Sequence, residues 1–433
     1  MLSMCTTVSP PSNTISKSYT TINNLLNDSL IEIFCRLSCK SLFTCKSVSK
    51  HWCAIISDLN FHFIYLTHQH RLLQNLQCEE KDIDQHSYIL KPYNALVITS
   101  KVPSLQFGCS ENNLSLNFLG SKFNPTNEVQ LRSILKCVFG CCNGLLLCGN
   151  PRRYHKCIYY VCNPLTKESI ELPCAPSNCD PNGVLVGFTC DPYYHIEEDK
   201  VSIVAPKRLF RVVNIPAFSN TKTTFNVEVF SSETGKWNEH VLLCPKGFSC
   251  GFSLTSSCVE HDGVLYFTSG RKILIYNPYK NEQVASVIDH PSEFGEAYRG
   301  CVGVCCGRLQ LSEFPISRSN NANIRPYSGR VWELDSHQEW QIVHEFYIPD
   351  IIGSIFDKLQ AIEREHVRGS SRILAFHPYL KGTIFLEFGD HIICCNLLTQ
   401  EFKASKYGGL SLGFLPITPV VLPWWPTTIS SFL

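Results

Sequence analysis

The stretch from Leu25 to Leu66, LLNDSLIEIFCRLSCKSLFTCKSVSKHWCAIISDLNFHFIYL, predicts a compact set of short helices. The first helix is expected to begin near Asn27, Asp28 or Ser29, and Ser29 with Glu32 fits a capping box. Its apolar side chains recur at helical spacing and cover about half of the circumference, wider than the ~100° stripe of an ordinary surface helix. These side chains are Leu30, Ile31, Ile33, Phe34, Cys35 and Leu37.

A later helix is predicted to start at about Ser47. Its apolar side chains form one narrow stripe, made of Val48, Trp52, Ile55, Ile56 and Leu59. A helical unit of this size lies at or below the ~40 residues at which a chain rarely folds without a metal, a disulfide or a partner. The surplus apolar surface therefore predicts that the unit docks onto another protein.

This stretch resembles an F-box, the helical module that binds the linker subunit of an SCF-type ubiquitin ligase. The residues that carry the resemblance are Leu26, Leu30-Ile31-Glu32-Ile33-Phe34, Arg36-Leu37, Lys40-Ser41-Leu42, Lys46-Ser47-Val48-Ser49-Lys50, Trp52 and Ile55-Ile56-Ser57-Asp58. The family usually has proline where this chain has Asn27 and Ser38, and both of these residues can cap a helix instead.

The resemblance implies that apolar residues of the module bind the linker subunit. They are Leu26, Leu30, Ile33, Leu37, Leu42, Val48 and Trp52. Some of these residues must instead form the core of the module, and the sequence does not divide the two groups. Two structural alternatives stay open, namely a three-helix cap on the following domain and a helix-turn-helix.

Charge and hydropathy exclude two classes of partner. The chain of 433 residues has a net charge of +1, whereas a nucleic-acid binder usually presents a concentrated basic face. No apolar run approaches the ~20 residues that a membrane-spanning helix needs. We therefore predict neither a nucleic-acid partner nor a membrane partner.

Cysteine and histidine are abundant, but their spacing does not predict a metal site. The 24 cysteines lie mostly inside apolar runs and no Cys-x-x-Cys pair occurs, so we expect thiols packed as small hydrophobes in a reducing compartment. His62, His68 and His70 lie close together in the sequence, yet no carboxylate or cysteine completes a ligand set. We expect surface histidines and predict no metal and no cofactor.

From Tyr88 onward, short apolar runs broken by Asn, Gly, Pro and Ser indicate an all-β sandwich, barrel or propeller. Repetition is visible, because a glycine that precedes a strand recurs at Gly144, Gly263, Gly307 and Gly382. A strand, a polar turn and another strand recur as VCNPLTKESIEL, VEVFSSETGKWNEH, LIYNPYKNEQVAS, VWELDSHQEWQIV and CCNLLTQEFKAS. The pattern predicts a propeller of four-stranded blades.

The segment from Tyr88 to Phe123 is predicted to supply a further blade. The apolar run Val420-Val421-Leu422 is predicted to close the propeller by pairing with an early strand. Trp424 and Trp425 are expected either to be buried or to anchor a partner.

This region resembles the F-box-associated domain of plant F-box proteins, a kelch-like β-propeller. The matching stretches are Cys142-Asn143-Gly144-Leu145-Leu146, Cys162-Asn163-Pro164-Leu165-Thr166-Lys167-Glu168, Val331-Trp332-Glu333-Leu334-Asp335 and Glu339-Trp340. The resemblance implies that the propeller binds a target protein.

Three stretches differ from the strand pattern. Pro206–Thr224 and Ser312–Gly329 are predicted to be long loops, either recognition segments or plain insertions. The candidate target-binding residues on them are Arg208, Arg211, Arg318 and Arg325. Ser354–Gly369 is predicted to be a helix inserted into the β domain.

The sequence lacks a catalytic motif in the required context. Gly247-Phe248-Ser249-Cys250-Gly251 matches the G-x-S-x-G nucleophile elbow, but strand-like segments follow it where the motif needs a helix. A P-loop and an H-E-x-x-H motif are absent. We therefore predict no catalytic residues and a non-catalytic protein.

The predicted fold class is α+β multidomain, with small all-α F-box helices followed by an all-β propeller of kelch-like type. The predicted domains are a disordered leader (1–22), the F-box (23–66), a linker (67–86), the propeller (87–422) and a C-terminal tail (423–433). Leu72, Leu73 and Leu76 can extend a helix from the F-box into the linker.

The resemblances imply a substrate-recognition subunit of an SCF-type E3 ubiquitin ligase in the cytoplasm and/or nucleus. Its partners would be the linker subunit, through it the cullin scaffold, and a target protein of unknown identity. One alternative is a ubiquitin-independent propeller interaction module whose F-box-like helices are only a structural cap. Another is a propeller enzyme.

Overall fold

In the computed structural model, two compact units are present, comprising residues 1–82 and residues 83–433. The structure describes residues 22, 25–78, 96–97, 104–107, 114–115, 137–150, 158–164, 166–176, 184–191, 194–197, 200–203, 209–250, 257–280, 283–292, 298–315, 328–347, 351, 372–378, 380–388, 391–406, 419–420 and 429. None of the helices in these residues is long and apolar enough to cross a membrane.

The first unit is helical. Its elements are α1 (Asn27–Cys35), α2 (Cys39–Lys46), α3 (Lys50–Ser57) and α4 (Leu59–Cys78). Serine side chains begin two of these helices, because the Ser38 hydroxyl accepts a hydrogen bond from the Ser41 N–H at 3.2 Å and the Ser49 hydroxyl accepts one from the Trp52 N–H at 3.1 Å. The expectation that Ser38 caps a helix in place of proline is confirmed.

The first helix begins at Asn27, as predicted, but its predicted cap and the predicted start of the later helix were wrong. The N-cap of α1 is Leu26, whose side chain offers no hydrogen bond, and Ser29 lies inside the helix. Glu32 pairs with Arg36 one turn later, so the predicted capping box does not describe this helix start. The later helix begins at Lys50 rather than near Ser47, because the Ser49 hydroxyl supplies the cap.

Helix α4 completes the helical unit by binding backbone carbonyls at the end of α1. The last carbonyl groups of a helix have no partner within the helix. The Tyr65 hydroxyl donates to the Leu37 carbonyl at 3.1 Å, and the Gln69 side-chain amide donates to the Cys35 carbonyl at 3.0 Å. The predicted helical extension beyond Leu66 is confirmed, and its first turn belongs to the helical unit.

The histidines of α4 do not form the expected exposed group. His62 is buried with its Nε2 3.0 Å from the Ile56 carbonyl, and His68 and His70 are half-buried. Burial lowers the pKa of His62 to about 4, so the ring is neutral near pH 7. Across the described part of the chain, no group of three or more His, Cys, Asp and Glu side chains is arranged to hold a metal ion.

The second unit is built of antiparallel four-stranded sheets, as the repeat predicts. One sheet has the order β4-β5-β6-β7, formed by Cys137–Cys142, Leu145–Asn150, Ile158–Asn163 and Glu168–Glu171. The next has the order β8-β11-β12-β13, formed by Val184–Cys190, Phe210–Pro216, Phe218–Ser231 and Lys236–Cys250. A separate hairpin, β9 (Tyr194–Glu197) with β10 (Lys200–Ile203), is inserted between β8 and β11.

Three further sheets follow the sequence order of their strands. The first contains β14 (Ser257–His261), β15 (Val264–Ser269), β16 (Lys272–Tyr276) and β17 (Ser286–Asp289). The second contains β18 (Tyr298–Cys305), β19 (Arg308–Pro315), β20 (Ser328–Leu334) and β21 (Trp340–Tyr347). The third contains β22 (Arg372–Phe376), β23 (Thr383–Phe388), β24 (His391–Asn396) and β25 (Phe402–Lys406).

The remaining sheet joins the two ends of the unit. Its order is β26-β1-β2-β3, formed by Pro419–Val420, Leu96–Val97, Ser104–Phe107 and Leu114–Ser115. Leu96 pairs with Val420 and Val97 pairs with Pro419. The predicted blade between Tyr88 and Phe123 is confirmed, and so is the predicted closure by an early strand for Val420, whereas Val421 and Leu422 lie outside the described residues. Trp424 and Trp425 lie outside the described residues.

Apolar side chains of neighbouring sheets share common cores. Leu185 and Val213 of the β8–β13 sheet cluster with Leu265 and Phe267 of the β14–β17 sheet. Phe188 packs in the same way among residues of the β4–β7 sheet, including Leu147. The first strands of neighbouring sheets also contact one another, in the sequence β26, β4, β8, β14, β18 and β22. The sheets are therefore the blades of a propeller.

The predicted turn repeat is confirmed by the backbone. Asn143-Gly144, Asp262-Gly263 and Cys306-Gly307 all have positive φ angles and join the first two strands of their blades. Both central residues of a two-residue type I′ hairpin need this left-handed conformation, for which glycine is well suited. The polar turns also recur, because Lys167 N donates to Asn163 O and Gln400 N donates to Asn396 O, each at 2.9 Å.

Several predicted loops are strands instead. Most of Pro206–Thr224 lies in β11 and β12, where apolar residues such as Val212 are fully buried between neighbouring strands. Ser312–Pro315 continues β19, whereas residues 316–327 and the predicted helix Ser354–Gly369 lie outside the described residues. Gly247–Cys250 of the G-x-S-x-G sequence lie at the end of β13, so Ser249 is a strand residue.

The carbonyl contacts made by α4 generate a testable prediction. Gln69→Ala removes the donor to the Cys35 carbonyl, and a buried acceptor left unsatisfied costs about 1–3 kcal/mol. We expect the helical unit of the full chain to open more readily, measured as faster hydrogen exchange in peptides from α1 and α4. Arg71→Ala, at an exposed position of the same helix, is the control. Equal exchange in both variants would contradict the role assigned to Gln69.

Candidate functional site

The residues predicted to bind a linker subunit divide into two groups in the structure. Leu30, Leu42 and Trp52 are buried within the helical unit. The exposed fraction is 78% for Leu26, 38% for Ile33 and 60% for Val48, and Leu37 is half-buried. The exposed residues are available to a partner, whereas the buried residues form the core of the helical unit. The sequence alone does not distinguish these two groups.

Helix α1 places its exposed and buried apolar residues side by side. Leu26 and Ile33 are about two helical turns apart, so they lie along the same line of the helix. Leu30 and Phe34 lie next to this line and point into the core, where both are fully buried. The wide apolar surface predicted for α1 is therefore shared between the core and an exposed edge, which we call the apolar edge (Leu26, Ile33 and Leu37).

Aromatic packing fixes the orientation of α1. The Phe34 ring meets the Trp52 ring edge-on at a centroid distance of 5.2 Å and the Phe61 ring at 6.2 Å. These contacts join α1 to α3 and α4, and the Tyr65 hydroxyl adds its bond to the Leu37 carbonyl. The apolar edge thus lies on a helix whose opposite, buried face is packed against α3 and α4.

Exposed apolar residues on α4 were not assigned to binding from the sequence. Leu59 and Phe63 are both exposed and lie one turn apart, so they share a face of the helix. The sequence signal for this exposed apolar surface is Leu59–Leu66, LNFHFIYL, which contains more apolar residues than one buried helix face can accommodate. Phe61, Tyr65 and Leu66 occupy the buried face.

In the propeller, the hairpin turns between the first two strands lie together on one rim. The Asn143 side-chain amide donates to the Cys190 carbonyl at 3.0 Å, and the Cys306 N–H donates to the Pro378 carbonyl at 2.7 Å. A Cβ atom added to Gly307 would lie 3.9 Å from the His261 ring. We call this edge the turn rim, defined by residues 142–144, 190, 260–263, 305–307, 377–378 and 380–382.

Three of the four candidate target-binding arginines lie outside the described residues. Arg208 precedes β11 in the sequence, and Arg318 and Arg325 lie between β19 and β20 in the sequence. Antiparallel strands alternate in direction, so β19 ends and β20 begins at the opposite rim.

Arg211 is a strand residue rather than the predicted loop residue. It lies in β11 with most of its side chain buried, and its guanidinium is 3.4 Å from the Glu233 carboxylate. The same group lies over the Tyr279 ring at 5.2 Å, which links this blade to the β14–β17 blade. Arg211 therefore holds neighbouring blades together.

A half-buried carboxylate, Glu260, organises part of the turn rim. The Cys142 thiol donates to Glu260 Oε2 at 3.2 Å, and the Gly263 N–H donates to Glu260 Oε1 at 2.8 Å. The Thr189 hydroxyl donates to the same oxygen at 3.4 Å. Glu260 thus connects the ends of β4, β8 and β14, and burial raises its pKa above the usual range of a glutamate.

The raised pKa of Glu260 gives stability a defined dependence on pH. The folded chain binds the Glu260 proton more tightly than the unfolded chain. The stability that protonated Glu260 contributes is therefore complete below the pKa of Glu260 in the unfolded chain. It is lost as pH rises through the pKa of Glu260 in the folded chain. Glutamine cannot ionise, so Glu260→Gln is expected to gain thermal stability relative to the wild type as pH rises from 5 to 8.

The measurement is the thermal unfolding midpoint of both proteins across this pH range. Glu239→Gln, at an exposed position of β13, is the control and is expected to follow the wild type. If Glu260→Gln and the wild type differ by the same amount at every pH, Glu260 does not titrate in the way that its burial indicates.

Comparison with known families agrees with both units. An F-box domain model matches residues 22–64, and a model described as "F-box protein At3g26010-like, beta-propeller" matches residues 97–409. The matched β-propeller region includes the blades from β4 to β25 and the turn rim described above.

Curated relatives from Arabidopsis thaliana are F-box proteins. F-box protein At5g03970 is 26% identical over 62% of this chain and 58% of its own length. F-box protein At3g26010 is 22% identical over 56% of this chain and 52% of its own length, and F-box protein At5g49610 is 31% identical over 52% of each. The chain thus spans between half and three fifths of the length of these relatives.

Proposed function

Because the chain belongs to the family of F-box proteins with an At3g26010-like β-propeller, we propose that it is the substrate-recognition subunit of an SCF-type E3 ubiquitin ligase. The observation that carries the proposal is the apolar edge of α1, which the helical unit does not need for its own core. Leu26 is 78% exposed although the neighbouring Leu30 and Phe34 are fully buried. An exposed apolar surface rimmed by polar residues is typical of a protein-interaction site.

In this proposal the exposed residues bind the linker subunit and the buried residues position them. Leu26, Ile33 and Val48 make direct contact, and the half-buried Leu37 lies at the margin. Leu30, Leu42 and Trp52 support α1 from inside the unit. Through the linker subunit the chain reaches the cullin scaffold, and its loops on the propeller bind the target.

The proposed activity requires no catalytic group in this chain. A substrate receptor raises the local concentration of its target beside a conjugating enzyme, so the rate comes from proximity. Burial raises the pKa of thiols such as Cys250 and Cys301 to about 11 and 12, which makes them poor nucleophiles near pH 7. A place of action in the cytoplasm and/or nucleus is part of the proposal, and the kelch-like type of the propeller stays a prediction.

A positive charge introduced on the apolar edge tests linker binding. We expect Ile33→Arg to weaken binding to a plant linker subunit by at least about tenfold, because a charged side chain would have to be desolvated in the interface. The measurement is the dissociation constant of the full chain by calorimetry. Val343→Arg is the matched control, since Val343 has the same exposed fraction of 38% and lies on the β unit.

Co-expression tests the proposal as a whole. The full chain and a variant lacking residues 23–78, the whole helical unit, are each co-expressed with the linker subunit and separated by size exclusion. We expect a one-to-one complex that the deletion abolishes. A folded full chain that elutes without the linker subunit would instead support the ubiquitin-independent interaction module.

A further inference from the structure

The C-terminal tail contacts the β4–β7 blade at Ile429. The Ile429 side chain is half-buried and packs against the apolar cluster that this blade shares with the β8–β13 blade. The Ile429 N–H donates to Glu168 Oε2 at 3.0 Å, although the two residues are 261 positions apart in the sequence. An apolar surface and a carboxylate acceptor therefore both hold this residue of the tail.

The site that receives Ile429 is built by the turn between β6 and β7. The Thr166 N–H donates to the Asn163 side-chain oxygen at 3.3 Å, and the Thr166 hydroxyl donates to Glu168 Oε2 at 3.1 Å. These bonds hold the Glu168 carboxylate at the start of β7. Ile170 lies two residues further along β7, so it shares a face of the strand with Glu168 and belongs to the margin of the apolar cluster. The turn thus places a carboxylate beside an apolar surface.

The turn between β24 and β25 repeats the same sequence pattern. Residues 396–401 read NLLTQE, and residues 163–168 read NPLTKE. The Thr399 hydroxyl donates to Glu401 Oε2 at 3.4 Å, which matches the threonine–glutamate pair of the first turn. Glu401 is exposed, and the adjacent Leu398 is 64% exposed, whereas the glutamate that binds the tail is half-buried. The threonine–glutamate pair therefore belongs to the repeat, and the bond to the tail is an addition in the β4–β7 blade.

The tail contact follows closely on the strand that closes the ring. Strand β26 ends at Val420, which pairs with Leu96 of β1, and its sheet (β26, β1, β2 and β3), which we call the closing sheet, lies next to β4. The described strands of the closing sheet are two to four residues long, whereas β4, β5 and β6 have six residues each. Ile429 lies nine positions after Val420, a length of chain that spans at most about 30 Å. The tail therefore links the closing sheet to the neighbouring blade through a short tether.

We propose that the tail is a clasp for the propeller, in which Ile429 occupies a binding site on the β4–β7 blade and holds the closing sheet against that blade. The site accepts a segment that presents an aliphatic side chain and a backbone N–H, and its occupant is the tail of the same chain. A tethered segment acts at an effective concentration in the millimolar range, so one hydrogen bond and one half-buried side chain keep the site occupied. The clasp goes beyond the proposed function and does not depend on linker binding.

Hydrogen exchange of the full chain tests the clasp at two places. Ile429→Asp puts a negative charge against the apolar cluster and beside the Glu168 carboxylate, so the tail is expected to leave its site. We expect exchange to become severalfold faster in peptides covering residues 168–176 and also in peptides covering β1 of the closing sheet. Leu398→Asp, at the matched turn of the last blade, is the control and is expected to exchange like the wild type. Equal exchange in the two variants would overturn the proposal. So would faster exchange at residues 168–176 alone, because the tail would then bind without securing the closing sheet.

A peptide added to a shortened chain tests the binding site itself. A chain that ends at Trp425 is mixed with a synthetic peptide of residues 426–433, PTTISSFL, at about 5 mM, to match the effective concentration of a short tether. We expect the peptide to restore the protection of the β7 peptides, and a peptide with Ile429→Asp to fail. Glu168→Ala in the shortened chain is expected to abolish this rescue, whereas Glu401→Ala at the matched turn is not. A shortened chain that exchanges like the full chain, or that the unchanged peptide does not protect, would overturn the proposal.

Discussion

Backbone pairing between the two ends of the β unit is the constraint on which its closed form depends. Strand β26 pairs with β1, so residues near 96 and near 420 lie side by side. Without β26, the backbone N–H and C=O groups on one side of β1 would be unpaired, and β26 covers that side. Pro419, which lacks an N–H group, lies on the edge strand of its sheet, where the missing donor is tolerated. The pairing joins positions far apart in sequence, so it costs the conformational entropy of closing a long loop. This cost is offset only when the blades between the two positions have formed.

The helical unit is held together by contacts between its own helices. Phe34 touches both Trp52 and Phe61, and Gln69 reaches back to the Cys35 carbonyl. These contacts explain why the unit needs α4 as far as Gln69, whereas the matched F-box region ends at residue 64, inside α4. A helix that supplies both an aromatic core and hydrogen bonds to a helix end substitutes for the metal or disulfide that small domains often require.

The sequence predicts local features well because their causes are local. Glycine turns such as Asp262-Gly263 need a left-handed backbone, and this requirement is visible in the residues themselves. Burial is harder to predict, since Leu26 and Leu30 are equally apolar and only the packing of α3 and α4 decides which one is covered. The prolines and basic residues around Arg211 predict a loop, whereas tertiary pairing with β8 and β12 makes the segment a strand. The network around Glu260 joins residues from separate blades and left no sequence signal.

The small exposed apolar surface formed by Leu26, Ile33 and Val48 limits the affinity that these residues alone can give to linker binding. Full burial of a leucine, isoleucine or valine side chain contributes roughly 1.5–3 kcal/mol, and these side chains are already partly covered. Association costs on the order of 4–15 kcal/mol in lost translational and rotational freedom, so burial of Leu26, Ile33 and Val48 at best offsets this cost and leaves no surplus for tight binding. A stable complex therefore needs further area, and the exposed pair Leu59 and Phe63 on α4 is apolar surface that the same unit already presents. Linker binding is thus expected to depend on several helices at once, which is why the rigid packing behind α1 matters as much as the exposed residues themselves.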